Sequence, residues 1–172
     1  FEDKIGLKQN SLLKNQKKNT QDTIKNFCKK IEKASKIKIS DDLMIIARIE
    51  SLILGKSVAD ALSRANAYSK AGADAILIHS KKKSPAEIFQ FTRQWVKSKN
   101  FKPIVAVPST YSKTTEKELI KNGVKIVIYA NHLLRASYPS MVETAKTILL
   151  NQRSSPIEKK ITPIKEILTL IN

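Results

Sequence analysis

The sequence lacks the features that would place it in a membrane or stabilise it with disulfides. No apolar run reaches the roughly 18 residues that a membrane span needs, and no signal-peptide pattern is present. The single cysteine cannot form an internal disulfide, which agrees with a reducing compartment. Cys28 lies in an apolar helical stripe, which favours packing over nucleophilic chemistry. We therefore expect a cytoplasmic protein with no membrane partner.

Acidic residues are also scarce, with 15 Asp and Glu against 32 Lys and Arg, for a net charge of +17. Such an excess is typical of nucleic-acid binding. However, only five of these 32 cations are arginines, the residue that reads bases and forks onto phosphates. The lysines are scattered over every predicted helix and loop, without interleaved aromatics. We therefore expect no nucleic-acid partner.

Four apolar runs of strand length alternate with amphipathic helical patterns. The runs begin near residues 43, 74, 103 and 125. Strands that alternate with helices predict an α/β fold with a parallel sheet and right-handed crossovers. The spacing suits a (β/α)8 TIM-type barrel, which needs about 250 residues for eight units. The chain supplies four such units and the tip of a preceding strand, so we expect about half a barrel. Because it begins with Phe1 in the middle of a motif, we also expect it to be part of a longer protein.

Capping and breaking signals predict the bounds of the helices. Thr20 is expected to cap a helix that runs to about Ser35, and Ser57 to open the next helix, which Gly72 ends. Ser84 with Glu87 is expected to form a start signal, and Thr115 with Glu118 to start a further helix. Pro139 is expected to split the helical stretch that follows the last strand. We predict one partial barrel domain over residues 1–172, and we divide it in three. Its parts are a gating-loop region at 1–19, βα units at 20–150, and a C-terminal part at 151–172. The C-terminal part contains a linker at 153–156 and a final helix.

The apolar run at residues 43–51 ends in an arginine and a carboxylate. Alternation along a strand puts Met44, Ile46, Arg48 and Glu50 on one face. Arg48 would then be held by a rigid scaffold and aimed where the strand opens to solvent. A surface arginine in a loop is the alternative.

The other predicted strands also end in polar residues. In a parallel barrel the C-terminal ends of the strands carry the site. Lys8, Asn10, Arg48 and His79 would together form a cationic, hydrogen-bonding pocket for a phosphoryl or carboxylate group. Taken singly, each could equally be a loop lysine, a turn former or a satisfied strand-end histidine. The polar groups at the strand ends are Glu2, Asp3, Arg48, Glu50, His79, Ser109, Asn131 and His132.

Several short motifs are spread over nearly all of the chain. They are Glu2-Asp3-Lys4, Lys8 with Asn10-Ser11, Ala47-Arg48-Ile49-Glu50, Ala71-Gly72-Ala73-Asp74-Ala75, Ile78-His79-Ser80-Lys81, Val107-Pro108 and Tyr129-Ala130-Asn131-His132-Leu133-Leu134-Arg135-Ala136. Together these motifs resemble the phosphoenolpyruvate mutase family of the isocitrate lyase superfamily. The resemblance implies a (β/α)8 barrel, of which this chain is the C-terminal portion, from the end of strand 4 through strand 8 and the terminal helices. It also implies Mg²⁺, a mobile gating loop, and a dimer or tetramer in which neighbouring subunits exchange the last helix.

The same resemblance implies roles for individual residues. Glu2 corresponds to a glutamate that holds the metal through water, and Lys8 and Asn10 to gating-loop residues that close on substrate. Arg48 and His79 correspond to the residues that grip the transferring phosphoryl group. The family's other metal-binding aspartates have no counterpart in this sequence, and one glutamate is a poor Mg²⁺ site by itself.

The implied reaction interconverts phosphoenolpyruvate and phosphonopyruvate, the step that makes a C–P bond in phosphonate biosynthesis. Phosphonopyruvate hydrolase is the nearest alternative, and Asn10 favours the mutase over it. Another lyase of the superfamily is less favoured, because no catalytic cysteine loop is found. An inactive fragment or scaffold is the alternative from a different class.

Overall fold

The computed structural model describes residues 1–6 and 20–170 of the chain. It contains two compact units, Phe1–Tyr129 and Ala130–Asn172. Each is described by itself. The predicted Lys8 and Asn10 lie outside the described residues.

The first unit is built on a four-stranded parallel sheet whose strands are ordered as in the sequence, β3-β4-β5-β6. Its strands are β3 (Ile46–Ile49), β4 (Ala75–Ile78), β5 (Ile104–Ala106) and β6 (Val124–Val127). A separate antiparallel pair joins β1 (Lys4–Ile5) to β2 (Thr20–Gln21). The helices are α1 (Ile24–Ile37), α2 (Val58–Lys70), α3 (Ala86–Trp95) and α4 (Glu116–Lys121). The predicted α/β fold with a parallel sheet is confirmed.

The two faces of this sheet pack differently. One face forms the main core with the helices, where Phe27, Tyr68 and Trp95 are fully buried. The other face carries a smaller apolar cluster of Ala75, Leu77, Val105 and Val107, against which Ile46 and Ile126 pack. Alternation along β3 therefore puts Arg48 on the face of the smaller cluster, the same face as Ile46. This confirms the predicted alternation for Ile46 and Arg48, whereas Met44 and Glu50 lie outside the strand.

The start of α1 differs from the prediction, which is wrong about Thr20. The backbone of Thr20 pairs with Ile5 in the β1–β2 pair, so it cannot also open a helix. Thr23 caps α1 instead, with its side chain accepting a hydrogen bond from the Asn26 amide at 3.2 Å. Cys28 is half-buried against the main core, and burial raises the pKa of its thiol, so the packing role holds.

Strand β3 begins three residues later than the apolar run. Leu43 and Met44 are about half exposed, at 58% and 48%. The Ile45 amide donates to the Asp74 carboxylate at 2.8 Å rather than to a neighbouring strand. The ladder with β4 therefore starts at Ile46.

The predicted caps of the later helices are confirmed in part. Ser57 caps α2, and Thr115 with Glu118 forms a reciprocal capping box on α4. Helix α3 begins at Ala86, where the start signal predicted it, but its N-cap residue is Pro85, which makes no side-chain capping hydrogen bond. The role of Glu87 in that signal is wrong. Glu87 instead accepts a hydrogen bond from Ser80 and pairs with Lys82. Tertiary contacts near the end of β4 thus outweigh the local signal.

The second unit contains α5 (His132–Asn151), α6 (Ser155–Glu158) and α7 (Ile164–Thr169). The expected break at Pro139 is wrong, because α5 continues through it. Proline removes one donor, which leaves the Arg135 carbonyl without its helical partner at a cost of about 3 kcal/mol. That stretch of α5 is exposed, so water can bond the carbonyl. Helix α6 begins within the predicted linker 153–156. Within the described ranges, no helix combines the length and apolarity that spanning a bilayer requires.

Candidate active site

The C-terminal end of β3 is flanked by the first residues of the chain. Glu2 forms a parallel bridge with Arg48. The Arg48 amide donates to the Phe1 carbonyl at 2.7 Å, and the Asp3 amide donates to the Arg48 carbonyl at 3.1 Å. Residues 1–3 therefore run beside β3 as the strand tip that the sequence predicted, and they bring Glu2 next to Arg48.

The Arg48 guanidinium is held by a buried carboxylate. Its Nε and Nη2 atoms both lie 2.8 Å from Glu50 Oε1, and the Glu50 side chain is fully buried. Glu2 Oε2 lies 3.6 Å from Arg48 Nε. The Arg48 side chain remains 25% exposed, so part of the guanidinium can reach a ligand. A charge held in this way loses little entropy on binding an anion.

His79 follows β4, and its side chain is almost completely buried. Burial, and after it the neighbouring Arg48 charge, lowers the pKa of the imidazole to about 4, although Glu50 and the Val107 backbone oppose the change. The imidazole is therefore neutral at pH 7. Its Nδ1 atom is buried and has no hydrogen-bond partner among the described residues. An anion bound there would favour the protonated form.

Ser109 lies in the turn that follows β5, three residues beyond the end of that strand. Its Oγ atom is buried without a hydrogen-bond partner in the part of the chain that the structure describes. Buried polar atoms without partners are uncommon in proteins. Two of them, beyond the C-terminal ends of the neighbouring strands β4 and β5, indicate a polar ligand site.

The described residues do not make a complete Mg²⁺ site. No three His, Cys, Asp or Glu side chains among residues 1–6 and 20–170 are placed to hold a metal ion. Glu2 lies beside Arg48, and Asp3 is fully buried and bonded to protein groups. Mg²⁺ draws on several oxygen ligands. Glu2 alone therefore falls short of a Mg²⁺ site, and its contact with the metal through water stays a prediction.

The structure brings together some of the predicted site residues. Glu2, Arg48 and Glu50 are in direct contact, and His79 is close enough for its pKa to respond to Arg48 and Glu50. Asn131 and His132 belong to the second unit. The roles of Lys8 and Asn10 remain predictions.

A buried polar cluster behind the site was not predicted. We call it the Asp3 cluster, and it consists of Asp3, Gln21, Arg64 and Tyr68. Asp3 Oδ2 accepts hydrogen bonds from Gln21 Nε2 at 2.8 Å, Arg64 Nη1 at 3.2 Å and the Tyr68 hydroxyl at 2.7 Å. Asp3 Oδ1 accepts one from the Glu50 amide at 2.9 Å. The signal in the sequence was an arginine and a tyrosine four residues apart on one helix, which by itself is common.

Burial raises the pKa of the Asp3 carboxyl, while hydrogen bonds, first that from Tyr68, lower it in part. All four partners donate, and only the ionised carboxylate can accept from all of them.

The buried neutral His79 makes stability depend on pH. The unfolded imidazole has the ordinary pKa of 6.5, and the folded one a pKa of about 4, so the folded state binds fewer protons between these values. Stability should therefore fall as pH falls through this window, by roughly 3 kcal/mol when both states are fully protonated. We expect an NMR titration of the His79 ring to give a pKa near 4.

The His79→Asn variant assigns the resonance and serves as the control. Carboxylates titrate in both proteins, so the difference between their unfolding free energies isolates His79. A measured pKa of about 6.5 or above, or a difference that does not change between about pH 7 and pH 4, would contradict the buried neutral imidazole.

These features define an α/β protein with a parallel sheet and a candidate polar site at the C-terminal ends of its strands, centred on Arg48 and His79. Comparison with known proteins specifies the family. The family model described as "Phosphoenolpyruvate phosphomutase" matches residues 1–149. The chain therefore belongs to the phosphoenolpyruvate phosphomutase family.

Individual relatives agree with this assignment. The chain is 39% identical over 170 residues to phosphoenolpyruvate phosphomutase of Tetrahymena pyriformis, covering 99% of this chain and 55% of that protein. A phosphoenolpyruvate phosphomutase structure from Streptomyces platensis subsp. rosaceus is 40% identical, with a TM-score of 0.88, and the match covers 98% of this chain and 57% of that one. A phosphonopyruvate hydrolase structure in complex with oxalate and Mg²⁺ is 35% identical, with a TM-score of 0.82 and coverage of 98% and 56%. The chain thus spans about half the length of the relatives it matches.

Proposed function

We propose that the full-length protein containing this chain is a phosphoenolpyruvate mutase that interconverts phosphoenolpyruvate and phosphonopyruvate. The observation that carries the proposal is the strand-end arrangement of Arg48, held by buried Glu50, and His79 with its unpartnered Nδ1 atom. The family assignment supports the same reaction. The substrate class is a small phosphorylated or phosphonylated acid.

We also propose that the chain is the C-terminal half of a (β/α)8 TIM-type barrel, from the end of strand 4 through strand 8. The sequential strand order of the parallel sheet, with residues 1–3 beside β3, supports this arrangement. In the proposed division, residues 1–19 hold the gating-loop region, 20–150 the βα units, and 151–172 the linker and C-terminal helix. The whole protein would be a cytoplasmic homo-oligomer with helix exchange between subunits.

The proposed chemistry needs positioning more than covalent help. The P–O bond of phosphoenolpyruvate breaks and a P–C bond forms to the methylene carbon of the resulting pyruvate enolate. Phosphoryl groups transfer with little bonding to either partner. Arg48 would hold the phosphoryl oxygens and offset their charge, and His79 would donate a hydrogen bond to them from a ring N–H. Lys8 and Asn10 would complete the enclosure and exclude water. We propose Mg²⁺ as the cofactor of the full-length protein, with Glu2 acting through water and the remaining ligands contributed from outside the described residues.

The direct test is to incubate the full-length protein with phosphonopyruvate and Mg²⁺ and to follow the phosphorus nuclei by ³¹P NMR. A mutase forms phosphoenolpyruvate, whereas a hydrolase forms inorganic phosphate. Phosphonopyruvate hydrolase is the second candidate, because a hydrolase structure is 35% identical to this chain. If phosphonopyruvate is not turned over, the remaining candidate functions are another lyase of the superfamily or an inactive scaffold.

A variant at Asn10 tests how the protein favours the mutase reaction over the hydrolase reaction. If Asn10 helps to exclude water, Asn10→Ala should raise the ratio of pyruvate plus phosphate to isomerised product, because water then competes with the enolate for the phosphoryl group. The same ³¹P spectra give this ratio as inorganic phosphate to isomerised product, because each hydrolysed molecule releases one phosphate. Asn15→Ala is a matched control in the same stretch of sequence. An unchanged ratio with slower turnover would reduce Asn10 to a binding residue.

A further inference from the structure

Three separate pieces of chain meet at the Asp3 cluster. The first is the strand tip that contains Asp3 itself. The second is residues 20–22, where the Asp22 amide donates to the Asp3 carbonyl at 2.8 Å and the Asp22 carbonyl accepts from Arg64 Nη1 at 2.8 Å. The third is the turn after β3, whose Glu50 amide donates to Asp3. The buried Asp3 carboxylate thereby links all three pieces of chain to α2, through its hydrogen bonds with Arg64 and Tyr68.

Two of these pieces, the strand tip and the turn after β3, lead directly to Arg48. The residue before Asp3 is Glu2, whose carboxylate lies 3.6 Å from Arg48 Nε. The backbone that Asp3 holds on its other oxygen belongs to Glu50, whose side chain grips the Arg48 guanidinium at 2.8 Å. The Asp3 amide also bonds the Arg48 carbonyl. Both acids that flank the guanidinium are therefore fixed by the same buried group.

We propose that the Asp3 cluster is a positioning device for Arg48, in which Tyr68 and Arg64 on α2 hold Asp3 so that Glu2 and Glu50 aim the guanidinium at the phosphoryl group. This inference rests on the proposed function for its kinetic consequence, though not for its structural one. Tyr68 and Arg64 act only through Asp3. They are positioning residues and make no contact with substrate.

The Asp3 cluster contains further hydrogen bonds beyond those that the Asp3 carboxylate accepts. The Tyr68 hydroxyl donates to Asp3 and accepts from Arg64 Nη1 at 2.8 Å, and Gln21 Nε2 reaches both Asp3 and Ser51 Oγ at 3.0 Å. Removing one donor leaves the other bonds free to rearrange, and the flanking acids move with Asp3. Displacement of a catalytic group by about 1 Å can cost up to roughly 10²-fold in rate.

Tyr68→Phe is the sharpest test, because it removes only the hydroxyl. The ring keeps its edge contact with Phe27, at 4.6 Å between centroids. We expect kcat to fall by about tenfold with KM changed by about twofold or less, since a misaimed guanidinium loses charge stabilisation chiefly in the transition state.

Ser69→Ala provides a matched control on the same helix. Ser69 Oγ donates to the Asn100 carbonyl at 2.6 Å, so this substitution also removes a hydrogen bond of a buried residue of α2, but one outside the Asp3 cluster. We expect its kcat to stay within about twofold of the parent. Should Tyr68→Phe fail to fold, Gln21→Met at the half-buried edge of the cluster removes a different donor to Asp3.

Crystal structures of the parent and the variants separate this inference from the proposed function. If the parent has no mutase turnover, the proposed function fails, and the Arg48–Glu50 geometry still tests the cluster. We expect the 2.8 Å contact between Arg48 Nη2 and Glu50 Oε1 to lengthen or break in Tyr68→Phe and to persist in Ser69→Ala. An unmoved Arg48 in Tyr68→Phe, or a loss of kcat no larger than that of Ser69→Ala, would overturn the positioning role.

Discussion

Replacement of Arg48 by alanine in the full-length protein is expected to lower turnover by roughly 10²–10³-fold, the scale for losing one preorganised charge-stabilising donor. The structural reason is that Glu50 holds the guanidinium at 2.8 Å through two nitrogens, so its charge is in place before the substrate binds. Steady-state rates of phosphonopyruvate conversion measure the effect.

Arg48→Lys should recover little of this loss. A lysine ammonium can pair with Glu50 but cannot also present a planar fork to phosphoryl oxygens. Arg93→Ala is the matched control, because Arg93 is exposed on α3. Near-normal turnover in Arg48→Lys would count against a fork contact, and an equal loss in Arg93→Ala would point to a general effect of charge.

Residues 1–172 expressed alone are expected to show no turnover of phosphonopyruvate and to self-associate. Strand β6 has a partner on one side only in the described sheet, and on the other side β3 is flanked only by residues 1–3. A surface cavity of about 470 Å³ beside β3 is lined mainly by apolar side chains. Among these, Phe1 is 61% exposed, Leu43 58% and Met44 48%. Uncovered strand edges and apolar surface promote association.

The net charge of +17 opposes association, but salt screens that repulsion beyond roughly 8–10 Å. Light scattering and the ³¹P assay measure the two outcomes, with the full-length protein as the reference. Leu43→Glu combined with Met44→Glu should reduce association of the isolated chain, because both side chains line the cavity. A stable monomer with Mg²⁺-dependent turnover would refute the half-barrel proposal.

Much of the first unit follows from local patterns in the sequence. The alternation of apolar runs with helical stripes predicted the parallel sheet, and the period of two along β3 put Arg48 on the face of Ile46. The caps at Ser57 and Thr115 were equally readable. Gly72 follows the end of α2 with a φ of +107°, a left-handed conformation that glycine adopts without strain. These features depend on residues a few positions apart, which is the range over which backbone geometry repeats.

Other features were decided by tertiary contacts. Threonine is a common helix-cap residue, yet the backbone of Thr20 pairs with Ile5. Glu87 resembles a capping residue, yet it bonds Ser80 and Lys82. In both cases a hydrogen bond or ion pair to a partner that the fold brings close replaces the hydrogen bond of the predicted cap. A polar group that has such a partner no longer needs the local hydrogen bond.

The candidate site shows the same division. The sequence indicated that Arg48, His79 and Glu2 would lie at strand ends, but not that Glu50 would be buried beneath the guanidinium. Nor could it pair Asp3 with Tyr68 and Arg64, which lie 65 and 61 residues away. No local period encodes contacts at that separation. They arise only when the sheet and α2 pack together and a buried carboxylate must find its donors among the groups that packing brings within reach.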